Sequence, residues 1–128
     1  MGYPTGSGSE ILARTTINAQ SNTETSFRWD GTMATTGTNS YTVPALHIIT
    51  VISVTACEAA GAAGELINLT MNDGSNDINI IKSVALGAAL TFVFSDKLVL
   101  IGGDKLIVNC DATANIDFIC NYIDQDWT

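Results

Sequence analysis

One histidine, three cysteines and a handful of turn aspartates are the side chains in this 128-residue chain whose types could support catalysis or metal binding. His47 stands alone, whereas triads and histidine-based zinc sites gather two or more such groups around a nucleophile or an ion. Its place just after Pro44, at the start of a strand, predicts a packed or surface imidazole rather than a general base. Cys57, Cys110 and Cys120 are odd in number. Cys110 and Cys120 would lie on the two arms of a hairpin turning at 111–115, facing about Ile116 and Leu106, too far apart to bridge. All three read as free, buried thiols in a reducing compartment. Asp73, Asp77, Asp104 and Asp111 occupy turns, where a carboxylate accepts backbone N–H bonds. The oxygen-rich stretch 72–77 lacks the ligand spacing and closing glutamate of an EF-hand loop. Gly61, Gly64, Gly102 and Gly103 are followed neither by Lys-Ser/Thr nor by a helix, so they read as turns and not as a phosphate cradle. Asp124 and Asp126 read as a solvated acidic end. The sequence therefore predicts no catalytic residue, no metal site and no cofactor.

The elements that would position these groups are strands almost throughout. Residues 1–9, rich in Gly, Ser, Thr and Pro, predict an extended arm that a neighbour must hold, and 10–128 predict a single domain. A β-branched strand at 11–17 is followed by a turn at 20–25, a short aromatic strand holding Phe27 and Trp29, and a loop through Ser40. Residues 46–57 form a long strand with His47, Ile49, Val51, Ser53 and Thr55 on one face and Ile48, Thr50, Ile52 and Val54 on the other. Its first half is apolar on both faces, which predicts cover by a second sheet or a subunit. An alanine-glycine loop at 58–64 precedes strands at 65–71, 77–84, 90–94, 98–100, 105–110 and 116–123. Turn chemistry separates them: Asn72-Asp-Gly74, Gly102-Gly103-Asp104 and 111–115. Many short strands without helical periodicity predict an all-β fold, an antiparallel β-sandwich or jelly roll with an extended N-terminal arm. A parallel α/β sheet would need crossover helices.

Composition narrows the function classes. Apolar residues make up 46% and charged residues 14%, the opposite of a disordered chain. The net charge of −8 leaves five scattered basic residues, too few for a phosphate-tracking stripe, so no nucleic-acid partner is expected. The same balance disfavours an anionic membrane, and the longest apolar runs fall far short of a bilayer span, so a soluble chain is expected. No positive or apolar region opens the sequence, which predicts no secretory leader. A large aromatic in a terminal segment, such as Trp127, either folds back onto the sandwich or anchors a partner.

The order of Tyr41-Thr-Val-Pro-Ala45, a long apolar strand, an alanine-glycine loop, Ile67-Asn-Leu-Thr-Met-Asn-Asp-Gly74, Val84-Ala-Leu-Gly-Ala88, Leu98-Val-Leu-Ile-Gly-Gly-Asp-Lys-Leu106 and Ile116-Asp-Phe-Ile-Cys-Asn-Tyr-Ile123 resembles small β-sandwich virion proteins of tailed bacteriophages. The resemblance covers about 41–123. It departs from the family at Leu46 and His47, where Gly and Lys commonly follow the Tyr-x-Val-Pro-Ala opening. It implies a capsid cement (head decoration) protein, made in the host bacterial cytoplasm and placed on the outer surface of the virion. Its partners would be the major capsid protein and copies of itself, as a homotrimer. Candidate subunit or capsid contacts are Tyr3, Ile11, Leu12, Phe27, Trp29 and Trp127. A small tail, collar or fibre component is the alternative, and a carbohydrate-binding module with an exposed aromatic platform is a second.

Overall fold

The computed structural model describes residues 8–59, 61, 65–111 and 114–128, and among them every regular element is a strand. The strands are β1 (Ser9–Gln20), β2 (Thr25–Ser26), β3 (His47–Glu58), β4 (Glu65–Asn72), β5 (Asp77–Leu86), β6 (Thr91–Phe94), β7 (Leu98–Ile101), β8 (Lys105–Cys110) and β9 (Ile116–Asp126). They form two antiparallel sheets of a jelly-roll sandwich. One has the order β1-β9-β3-β6, with β7 also paired to β3; the other is β2-β8-β4-β5. The alternation of β9 shows why the sheets close on each other: Ile116, Phe118, Cys120, Tyr122 and Asp124 all point inward and are buried, and the residues between them point out. Across the core, Leu69, Leu106 and Val108 of the second sheet meet Ile49, Val51 and Val54 of the first.

Several sequence expectations change here. The strand expected to begin after residue 9 already includes Ser9, and it continues to Gln20, where a turn was expected. A bulge between Ile17 and Gln20, with Ala19 at φ 56°, lets this longer strand stay paired with β9. The remainder of the predicted arm, with Tyr3, lies outside the described residues. So do residues 60 and 62–64 of the alanine-glycine loop and 112–113 of the predicted turn. Glu58, expected in that loop, ends β3 with its side chain buried; its carboxylate accepts the Gly61 and Ala89 N–H groups.

The strict alternation expected along β3 breaks at Ile52. The register against β9 shifts between Val51 and Ser53, so the inward set runs Ile49, Val51, Val54, Ala56 and Glu58. Ser53 and Thr55 therefore face outward, because one bulged residue moves every later side chain to the other face. The predicted hairpin between 105–110 and 116–123 does not form. β8 pairs with β2 and β4 and β9 pairs with β1 and β3, so that connection passes from one sheet to the other. Cys110 and Cys120 are accordingly on different sheets, each buried.

The hairpin at Asn72-Asp-Gly74 does form. Asn72 pairs with Asp77, Gly74 takes φ 97°, and the Asp73 carboxylate accepts the Ser75 and Asn76 N–H groups. Those bonds hold the Asp73 pKa below the usual carboxylate value. A lowered folded-state pKa gives stabilisation that is present above the unfolded value and fades as pH falls through the folded one. The turn is thus expected to loosen only in acid, seen as faster amide exchange at Ser75 and Asn76 below the ordinary carboxylate range.

Candidate functional site

Cross-strand register places side chains in rows on the outer face of the five-stranded sheet, the side turned away from the core. Leu12, Ile123, Thr50 and Val99 form one row across β1, β9, β3 and β7. Ile48 and Ile101 stand beside Gln125 and Glu10 in the next, and Thr16, Ile119, Thr55 and Val93 form a third. Leu12 is 73% exposed, Val93 53%, Val99 46% and Ile119 42%. Ile48, Ile52, Ile101 and Ile123 are half-buried. Within the strands only Glu10, Arg14 and Asp117 bring charge to this face. The bulge at Ile52 helps to wall a shallow groove there with Leu12, Ala13, Arg14 and Asn121.

The outer face of the other sheet has the opposite character. Asn68 pairs with Asn109, Thr70 with Asn79, and Asn72 with Lys105 and Asp77. Lys82 joins these amides and carboxylates around a polar groove. The sandwich thus has one apolar and one hydrophilic outer surface, and β4 shows the cause in sequence: Ile67 and Leu69 point in while Asn68, Thr70 and Asn72 point out. On β9 and β3 apolar residues occur at both parities.

The sequence-predicted contact residues divide. Leu12 belongs to the apolar outer face. Ile11, 60% exposed, has the opposite parity and sits level with Asp124, where β1 overhangs the core. Phe27 and Trp29 are not surface anchors: Phe27 is 0% exposed and Trp29 5%. The short strand expected to present them is only Thr25–Ser26, and the chain then turns inward, the Phe27 N–H donating to the Leu106 carbonyl at 2.9 Å. Inside, Phe27 packs edge-on to Phe118 with centroids 6.4 Å apart, and Trp29 edge-on to Tyr122 at 5.0 Å. Trp127 is half-buried; its N–H donates to the Leu46 carbonyl and its ring lies over Gly8, where even a Cβ would approach Trp127 Cδ2 to 2.9 Å.

The reactive groups are structural in their surroundings. His47 Nδ1 is 2.8 Å from Asp124 Oδ1, and Nε2 is 3.4 Å from Asp126 Oδ1. Asp124, expected in a solvated end, is buried because the inward parity of β9 continues to it, and His47 is the partner that offsets its desolvation. Burial pushes the Cys110 thiol up to about 12, with the negative charges of Asp111 and Glu65 adding to it, and burial alone pushes Cys120 higher still. Both remain protonated at neutral pH and are poor nucleophiles. Among the described residues no group of three or more His, Cys, Asp or Glu could hold a metal ion, and no helix is long and apolar enough to cross a membrane. Sequence reasoning missed the breadth of the apolar face, although the two-sided apolar run at 48–52 signalled its centre.

No family model and no curated protein matches the sequence. Among solved structures, the chain is similar to the globular domain of zebrafish complement 1qA protein, at 16% identity and a TM-score of 0.45, over 88% of this chain and 92% of that one. It is also similar to the virus-like particle of the extra small virus of the giant freshwater prawn Macrobrachium rosenbergii, at 12% identity and a TM-score of 0.43, over all of this chain and 85% of that one. At these identities the likeness is one of β-sandwich fold, and neither activity, ligand nor partner passes from these proteins to this chain.

Proposed function

We propose that this chain is a non-enzymatic structural component of a virion, a sandwich module that associates with copies of itself through the outer face of its five-stranded sheet. The apolar character of that face is the observation that carries the reading. β3 has 12 residues, so the face is about 40 Å long and, with four strands abreast, about 19 Å wide, or about 750 Å². A stable complex buries about 800 Å² per partner. Exposed apolar side chains set in rows across a face of this size mark an interaction surface.

A second copy suits the face better than an unrelated acidic surface. The chain carries a net charge of −8, which repels other acidic bodies, yet the face itself holds almost none of that charge. Faces gathered around a shared axis can pack against their neighbours without opposing like charges, while the hydrophilic sheet stays in water. The form that joins this with the sequence resemblance is a capsid cement protein, a homotrimer on the outside of a phage head that bridges major capsid subunits and resists internal pressure. A tail, collar or fibre position uses the same module in fewer copies.

Quantitative mass spectrometry of purified particles tests the reading. A ratio to the main shell protein of one to one, or one to a small integer, is expected for cement. A ratio of a few per cent moves the chain to tail or collar, and absence from the particle removes the virion role.

A further inference from the structure

β1 is an outermost strand of the five-stranded sheet, bonded to β9 on one side. On its other side the second half is covered by the segment after β2: the Ala34 N–H donates to the Thr16 carbonyl, and the Thr36 hydroxyl to the Asn18 carbonyl. Successive residues of an antiparallel strand turn their N–H and C=O to opposite sides, so Thr16 fixes the parity. Glu10, Leu12 and Arg14 also turn theirs away from β9, and among the described residues no partner takes those backbone groups. The pairing of β1 runs without a shift from Ser9 to Ile17. The other outer strands are blunted: β2, β6 and β7 are short, and β5 is broken by register shifts against β4, with Ser83 at φ 52°.

The free edge matches itself. When a second copy runs antiparallel to it with Leu12 opposite the partner's Leu12, Glu10 falls opposite the partner's Arg14 and Arg14 opposite the partner's Glu10. All three are hydrogen-bonded pairs, each exchanging two N–H···O=C bonds. Opposite charges directly across a ladder stabilise it, and like charges destabilise it. Both charged side chains are exposed; Arg14 makes no ion pair among the described residues, and the Glu10 carboxylate accepts from Gln125 Nε2 at 3.2 Å. A slip of two residues either way leaves both charges without partners. The apolar residues fit the same register: Leu12 meets its counterpart on the outer side of the sheet, and Ile11, exposed where β1 overhangs the core, stands opposite the partner's Ala13 on the inner side.

We propose that two copies of this chain join edge to edge along β1, antiparallel and centred on Leu12, so that their five-stranded sheets become one sheet continuous across a two-fold axis. The axis gives both copies the same contact, and main-chain bonds supply the attraction while the alternate side chains set the partner. The charge pattern also rejects other strands. A strand lacking the matching charges would leave Glu10 or Arg14 against an apolar or like-charged residue, so the edge is guarded against indiscriminate pairing. The contact lies along the strand edge and not on the sheet face, and it stands apart from the face association proposed above and from any role in a virion.

The test is sedimentation equilibrium on full chains carrying Ile119→Glu, which charges the sheet face on β9 and leaves the β1 edge untouched, at up to about 1 mM, the range of weak, small contacts. The mass is expected to rise toward twice 13.5 kDa. Adding Glu10→Arg sets Arg against Arg at both ends of the pair, and adding Arg14→Glu sets Glu against Glu; each is expected to weaken association by about tenfold or more. Mixed in equal amounts, these two variants set Arg opposite Glu throughout, and association is expected to return. Both positions are exposed, and circular dichroism confirms that the variants fold. A monomer at the highest concentration overturns the proposal, as does a mixture that associates no better than either variant alone. Rescue by mixing is particular to the antiparallel edge register, so its failure is distinct from failure of the sheet-face contact, which the natural chain and its face variants test.

Discussion

A chain carrying Leu12→Glu and Ile119→Glu is expected to sediment at 13.5 kDa, as a monomer, at concentrations where the natural chain sediments as an oligomer. Both side chains are exposed in the single subunit, so the substitutions cost the fold little. In an oligomer closed through the sheet face, each would place an unpaired carboxylate in an apolar contact, at a cost of several kcal/mol per ion. Two such charges at every interface weaken association by at least about 100-fold, taking only 1.4 kcal/mol from each. Sedimentation equilibrium on both proteins reads this directly. Equal masses for the two would show that the face is not where copies meet, and a monomeric natural chain would remove self-association altogether.

Phe27→Ala is expected to cost roughly 3–5 kcal/mol of folding stability, the range for deleting a fully buried aromatic. The ring is wholly enclosed and touches both Trp29 and Phe118, so its loss opens a cavity at the centre of the aromatic cluster between the sheets. Urea denaturation followed by tryptophan fluorescence measures the change, with the midpoint moving and the slope unchanged. Leu12→Ala is the contrast, within about 0.5 kcal/mol in the monomer because Leu12 packs against water. If Phe27→Ala were equally mild while weakening association, Phe27 would be the surface anchor that its sequence setting suggested.

Phe27 also shows what a linear reading can resolve. The strands from β4 onward are bounded by turn residues and have one dominant face, and the sequence places β8 at its observed bounds and β4, β5 and β7 within two residues of theirs. Whether an aromatic near a loop turns in or out depends on a hydrogen bond to Leu106, nearly eighty positions away, and no local pattern carries that information. The same holds for sheet membership. Alternation tells which residues of β8 and β9 share a side but not which strands they lie beside, so two sequence neighbours with a turn between them read as a hairpin while they belong to opposite sheets. The bulge at Ile52 is invisible for a related reason: 48–52 is apolar at every position but Thr50, itself β-branched, so a one-residue slip leaves little mark in the pattern. That ambiguity is also the signature of the outer face, since a strand apolar on both sides has a second surface to cover. The depression between 28–30 and 40–42 was legible only as part of a long polar loop, because its two ends meet through contacts with the sandwich.

The position of β9 has a consequence for biogenesis. It lies between β1 and β3 and bonds to both along nearly its whole length, yet it leaves the ribosome after every other described strand. Until it emerges, β1 and β3 have no common neighbour, and each presents an open edge and apolar residues on both sides. Pairing Ser9 with Asp126 closes a loop that spans almost the whole chain, the kind of non-local contact that slows folding. The sheet therefore completes only after synthesis has passed residue 126, and nascent chains crowded on one message carry matching unpaired edges at the same time. Release before β9 is finished leaves a product with no way to close its sheet, so this strand separates chains that can fold from those cut short of it.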